Sequence, residues 1–179
     1  MGLFSFFGSK DASMKDLKDT EMLIKHLGKQ DTLGLTILKD ESLLDQVEPY
    51  CISNQISISC FISGLIYFYG VNIKPNPIKA EKLLIKFTDT NHPLTAKAYF
   101  YLSILERDYK GNQKKEAEYL IKAHDLGLMD ATTELAYYYF TGDNMHITRN
   151  KQTARLLWQK AVDAGDYRMQ ENIDMIDNP

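Results

Sequence analysis

Apolar residues recur at helical spacing along the second half of the chain, and the pattern is repeated. The segments 79–87, 116–123 and 153–161 each carry an alanine at their second position (Ala80, Ala117, Ala154), with large apolar residues three and four places after it and a lysine five or six places after it. The alanine and the two apolar offsets share one face of an α-helix. Successive alanines are 37 residues apart, and a fixed period of that length marks a repeated supersecondary unit. Upstream of each such helix (helix B) lies a second apolar stretch (helix A) with a small residue at its middle, Gly64, Ser103 or Ala136. The run from Gly64 to Gly70 matches the run from Ala136 to Gly142, with Tyr67 aligned to Tyr139 and Phe68 to Phe140. Gly70 and Gly142 stand where a glycine ends a helix. The middle copy departs from this pattern. Glu106 and Tyr109 replace the tyrosine and the glycine, and only 14 residues separate Ser103 from Ala117, against 16 and 18 in the other copies.

Asn91, Gly127 and Gly165 mark turns after the B helices, and Ala98 and Ala131 recur in the A helices that follow. Small residues at fixed points let two helices approach closely. One helix pair cannot bury its apolar face alone, so neighbouring pairs must stack to make a core. The pattern predicts an all-α protein built from about three helix pairs.

These residues resemble the Sel-one-like repeat, a relative of the tetratricopeptide repeat. The third copy carries the family pattern best, in Ala131, Leu135, Ala136 where glycine is usual, Tyr139, Gly142, Ala154, Trp158 one place late or Leu157 in register, Lys160, Ala161 and Gly165. The first copy has Gly64, Tyr67, Gly70, Lys79, Ala80 and Lys86, with Phe87 where alanine is usual. The resemblance covers about residues 59–170. It implies an α-solenoid of antiparallel helix pairs that works in protein–protein interaction and carries no catalytic residues.

Residues 1–58 do not fit the repeat and are expected to form an N-terminal helical cap, leaving 59–179 as the repeat array with its C-terminal capping helix. Apolar positions at helical spacing predict a helix over 10–27 and one or two short helices over 31–47. After Gly165 a last helix is predicted from Tyr167, Met169, Ile173 and Ile176, with Asp166, Glu171, Asp174 and Asp177 turned outward.

Composition narrows the function. A formal charge of −3 gives no reason to expect nucleic acid, which needs clustered Lys and Arg. All of that charge sits in residues 1–58, which hold nine acidic and six basic side chains. No run of about 18 uncharged apolar residues predicts a membrane span. Phe4, Phe6 and Phe7 offer at most a weak peripheral membrane contact, and the apolar N-terminus is too short and lacks the basic flank of a signal peptide. Cys51 and Cys60 are expected to be reduced, buried thiols, and the chain to be cytoplasmic. His26, His92, His124 and His146 are scattered, with none at a metal-ligand offset, and no nucleophile elbow, phosphate loop or metalloprotease motif occurs. Glu116 and Glu118 fall on different helix faces, so no paired-carboxylate site is expected, and neither a cofactor nor a metal is predicted.

The expected activity is therefore binding of another protein. In a solenoid of this kind the A helices line the concave face. Placing Leu135, Ala136 and Tyr139 in the core turns Glu134, Tyr137, Tyr138 and Thr141 toward that face. The same register yields Tyr101, Ile104, Leu105 and Asp108 in the second copy, and Ile62, Leu65, Ile66 and Tyr69 in the first. Of these, Tyr69, Tyr101, Leu105, Asp108, Glu134, Tyr137, Tyr138 and Thr141 are the candidate partner-binding residues. Aromatic side chains edged by carboxylates have the composition of interface hot spots. Two kinds of partner fit: a cognate toxin, neutralised by a dedicated inhibitor such as a bacterial immunity protein, or the several clients of a general adaptor or regulatory scaffold. The specific expectation is the inhibitor, and an enzyme is the weakest of the three readings.

Overall fold

A computed structural model describes Glu48 and residues 57–70, 73–90 and 92–178, and every regular element among them is helical. The helices expected before residue 48, Phe4, Phe6, Phe7, Cys51 and the Asn91 turn lie outside the described residues. The chain divides into two compact units, Met1–Phe87 and Thr88–Pro179.

In the first unit, helices α1 (Ser57–Tyr69) and α2 (Pro77–Thr88) form the first pair. Helix α1 buries Phe61, Ile62, Ile66 and Tyr67, and α2 buries Ala80, Leu84 and Phe87. The rings of Phe61 and Phe87 meet at 5.1 Å. A Cβ added to Gly64 would stand 2.9 Å from Leu84 Cγ, so the missing side chain sets how closely α1 lies on α2. Asn76 caps α2 by accepting the Lys79 amide at 3.0 Å, and Pro77 fills the first helical position, where no N–H is needed. The Tyr67 hydroxyl accepts from Lys79 Nζ at 2.9 Å and donates to the Glu48 carboxylate. Cys60 is buried and disulfide-bonded, which corrects the expectation of a reduced thiol there.

The second unit holds the other two pairs and the terminal helix. Helix α3 (Thr95–Leu105) continues through a π turn, Glu106–Lys110, and is followed by α4 (Gln113–Asp125). Next come α5 (Met129–Thr141) and α6 (Lys151–Asp163), then a single 3₁₀ turn, Tyr167–Met169, and α7 (Gln170–Asp177). Each helix packs on the next, α3 on α4, α4 on α5, α5 on α6 and α6 on α7. Asn112 and Asn150 cap α4 and α6 with their side-chain oxygens, on the Lys115 and Thr153 amides.

The small residues read from the sequence are where the helices touch. Ala117, Leu120, Ala123, Ala131, Leu135 and Tyr138 form one core, and Ala136, Ala154, Trp158 and Ile173 form the next. Ile173 docks the terminal helix as expected, whereas Tyr167 is exposed and Asp166 is partly covered, paired with Arg168. Arg155 of α6 clasps Asp177 of α7 through two hydrogen bonds of 2.8 Å.

Candidate functional site

Helix α5 sorts its side chains by face. Ala131, Thr132, Leu135, Ala136 and Tyr138 are buried, while Asp130, Glu134, Tyr137 and Thr141 form a stripe that is exposed or half-buried. The spacing of that stripe, four, three and four residues, is that of one helix face. Tyr137 stands out of it at 52 % exposure, and its edge meets the Tyr138 ring. Gly142 then ends the helix in the left-handed conformation, with a φ of 80°.

Helix α3 presents a different end. The π turn carries one residue more than an α-helical turn would, and the left-handed closing residue comes at Gly111, two places beyond position 109 where the other copies would put it. The extra residue changes what each later side chain faces. Glu106 is buried with Lys110 Nζ on its Oε1 at 3.0 Å, Tyr109 is exposed, and Arg107 reaches α5. Arg107 Nε donates to Asp108 Oδ1 at 2.8 Å, and another guanidinium nitrogen donates to Glu134 Oε1. The same nitrogen lies 4.0 Å from Glu116 Oε1. Burial works against the Arg107 charge, yet Asp108, Tyr138 and Glu134 outweigh it and hold the guanidinium above its ordinary value. Burial also pushes the Glu134 carboxyl up, and Arg107 offsets only part of this.

Beneath this face lies a buried polar network. The Tyr138 hydroxyl donates to Glu116 Oε1, and Asn144 Nδ2 donates to Glu116 Oε2 at 3.1 Å and to the Gln113 carbonyl at 3.0 Å. Burial, followed by the bond to Glu116, pushes the Tyr138 phenol up to about 12. The Gln113 side chain accepts the Met145 amide at 3.2 Å, so the loop after α5 is fastened to the start of α4. This satisfies a carboxylate that would otherwise be costly to bury.

The residues expected to form the partner face therefore separate into two sets. Glu134, Tyr137 and Thr141 on α5, and Tyr101 and Asp108 on α3 and its π turn, keep exposed or half-buried side chains in the second unit. Tyr69 is exposed in the first unit, its ring edge-on to Phe68. Tyr138 and Leu105 are instead buried, at 8 % and 1 % exposure, and neither is open to a partner. Tyr138 lies one residue, or about 100° of helix turn, beyond Tyr137, which turns it toward α4 and Glu116. Leu105 is covered like Leu102 before it. Arg107, which ties α3 to α5, was missed because a regular helix register turns it away; the departure from pattern at Glu106 and Tyr109 was its only signal. Glu116 is buried and Glu118 exposed, in line with the different faces read from the sequence. Among the described residues no group of His, Cys, Asp and Glu could hold a metal ion, and no helix is long and apolar enough to cross a membrane.

The family model of the Sel1 repeat, the Sel-one-like repeat, matches residues 57–89 and 130–166. The two stretches are the first pair, α1 with α2, and the third, α5 with α6, and the copy with the π turn lies between them. No curated protein and no solved structure matches the chain.

Proposed function

Since the chain is a Sel1-like repeat protein, and such repeats generally mediate protein–protein interaction, we propose that it binds a partner protein through the face shared by α3 and α5. The observation that carries this reading is Tyr137. It is a large aromatic side chain held out of the core on a rigid helix, beside charged groups already fixed by mutual bonds. Tyrosines so placed supply contact area at low entropic cost and are enriched among hot spots. Tyr69 extends the reading to the first unit, on that unit's own surface.

Tyr137→Ala is the direct test. Affinity for the native partner should fall by roughly 2 kcal/mol or more, about thirtyfold, with the circular dichroism and unfolding midpoint unchanged. Full affinity in a folded Tyr137→Ala protein would sink the proposal. Within protein binding, a dedicated inhibitor of one toxin is our specific reading, and an adaptor the alternative. A single partner held at nanomolar affinity or tighter selects the inhibitor, and several weaker ones select the adaptor. The cytoplasmic placement conflicts with the disulfide at Cys60, because persistent disulfides belong to oxidising compartments. Alkylation in the native cell before any reduction decides between the two compartments.

A further inference from the structure

The face around Tyr137 has an imbalance of charge that says what kind of partner it fits. One guanidinium, Arg107, serves three carboxylates: Asp108, Glu134 and the buried Glu116. Glu116 is satisfied from below by Tyr138 and Asn144. Asp108 and Glu134 each give one oxygen to Arg107, and among the described residues the second oxygen of each accepts no hydrogen bond. The Tyr137 hydroxyl likewise has no partner there, and its ring is exposed. The face thus offers two carboxylate oxygens and an aromatic ring, with negative charge in excess.

Resting on the reading that this face binds a partner protein, we infer that what docks there is a basic segment of the partner, seated by an arginine side chain on Asp108 and Glu134. A guanidinium presents five donors in a planar fork and also stacks on aromatic rings, so it can serve both carboxylates while lying against Tyr137. Lysine, a single point charge, can pair with the carboxylates but lacks the fork. The chain's own residues 1–58 are a poor occupant, since nine acidic against six basic side chains give them the same sign as the face. A second copy would bring carboxylate against carboxylate.

The test uses the full chain and three acetylated dodecapeptides of leucine and glycine, bearing four arginines, four lysines or four glutamates. Calorimetry should show the arginine peptide binding tighter than the lysine peptide, and the glutamate peptide not binding. Raising sodium chloride from about 50 to 300 mM should weaken the arginine peptide about tenfold. The double variant Asp108→Asn with Glu134→Gln, folded by circular dichroism, should weaken it about tenfold or more. An arginine peptide that does not bind at about 1 mM, or binds the double variant as well as the parent, overturns the inference. So does failure of tetranitromethane to nitrate Tyr137: protection at every dilution means the chain's own residues cover the face, and protection lost on dilution means a second copy does. The native partner separates this inference from the reading beneath it. Binding lost in Tyr137→Ala but kept in the double variant overturns the basic occupant alone, and binding kept in both overturns both.

Discussion

Helices α3 and α5 hold corresponding places in successive repeats of one unit, and they finish differently. Helix α5 stops six residues after its central small residue, Ala136, at Gly142. Helix α3 runs two residues further from Ser103, through a π turn to Gly111. Their partner helices differ too. In the third copy the residue four places after the anchoring alanine, Trp158, is fully covered, while its counterpart in the middle copy, Ile121, is 38 % exposed and the neighbouring Leu120 is buried instead. The regular copy places its largest side chain in the core, whereas the irregular copy aims a charged one, Arg107, at the helix beside it. The irregularity is therefore where the surface charge cluster is assembled, in keeping with the frequent use of π turns at functional places.

Trp158→Ala against Ile121→Ala breaks the comparison hardest. The first empties a filled core position and should cost about 3–5 kcal/mol, and the second should cost less than about 1 kcal/mol, both read from urea unfolding. Equal losses would mean that the two copies bury their second helices alike. Next is Tyr138→Phe, which leaves Glu116 with Asn144 as its one close donor and should cost about 1–3 kcal/mol at pH 7. The same variant carries a pH signature. A phenol held at about 12 when folded and near 10 when unfolded contributes stability below pH 10 that is lost as pH rises toward 12. That loss, roughly 2–3 kcal/mol, should be present in the parent and absent in Tyr138→Phe.

The helix ends give the smallest effect. Gly111→Ala strains a left-handed residue whose new Cβ meets nothing within 4 Å, whereas Gly142→Ala also brings its Cβ to 3.3 Å from Arg149 Cβ. The first should cost about 1 kcal/mol, and the second somewhat more, measured by thermal unfolding.

How far the sequence could be read depended on whether the information was local. The alanine period, the paired helices and the Gly142 stop are local and periodic, and all stand in the structure. Tyr138 and Leu105 were misplaced because helical spacing assigns a side chain to a sector of the helix without saying what lies opposite. What lies opposite Tyr138 is Glu116, a carboxylate 22 residues earlier that needs a donor. The π turn is still less legible. Nothing in Glu106–Lys110 forbids an ordinary helix, and the turn shows in the sequence only as a glycine that arrives late and a tyrosine replaced by glutamate. Asn144 and Ile147 lie in a loop with no period at all, yet both are buried.

That loop sets a limit on how this protein can be rearranged. Asn144 and Met145 are bonded to Gln113, at the head of the preceding repeat's second helix. The third copy therefore carries its fastening in its neighbour. It cannot be cut out, duplicated or grafted elsewhere as a free cassette unless Gln113 and Glu116 travel with it, and the natural module for engineering runs from α4 to α6, not from one repeat boundary to the next.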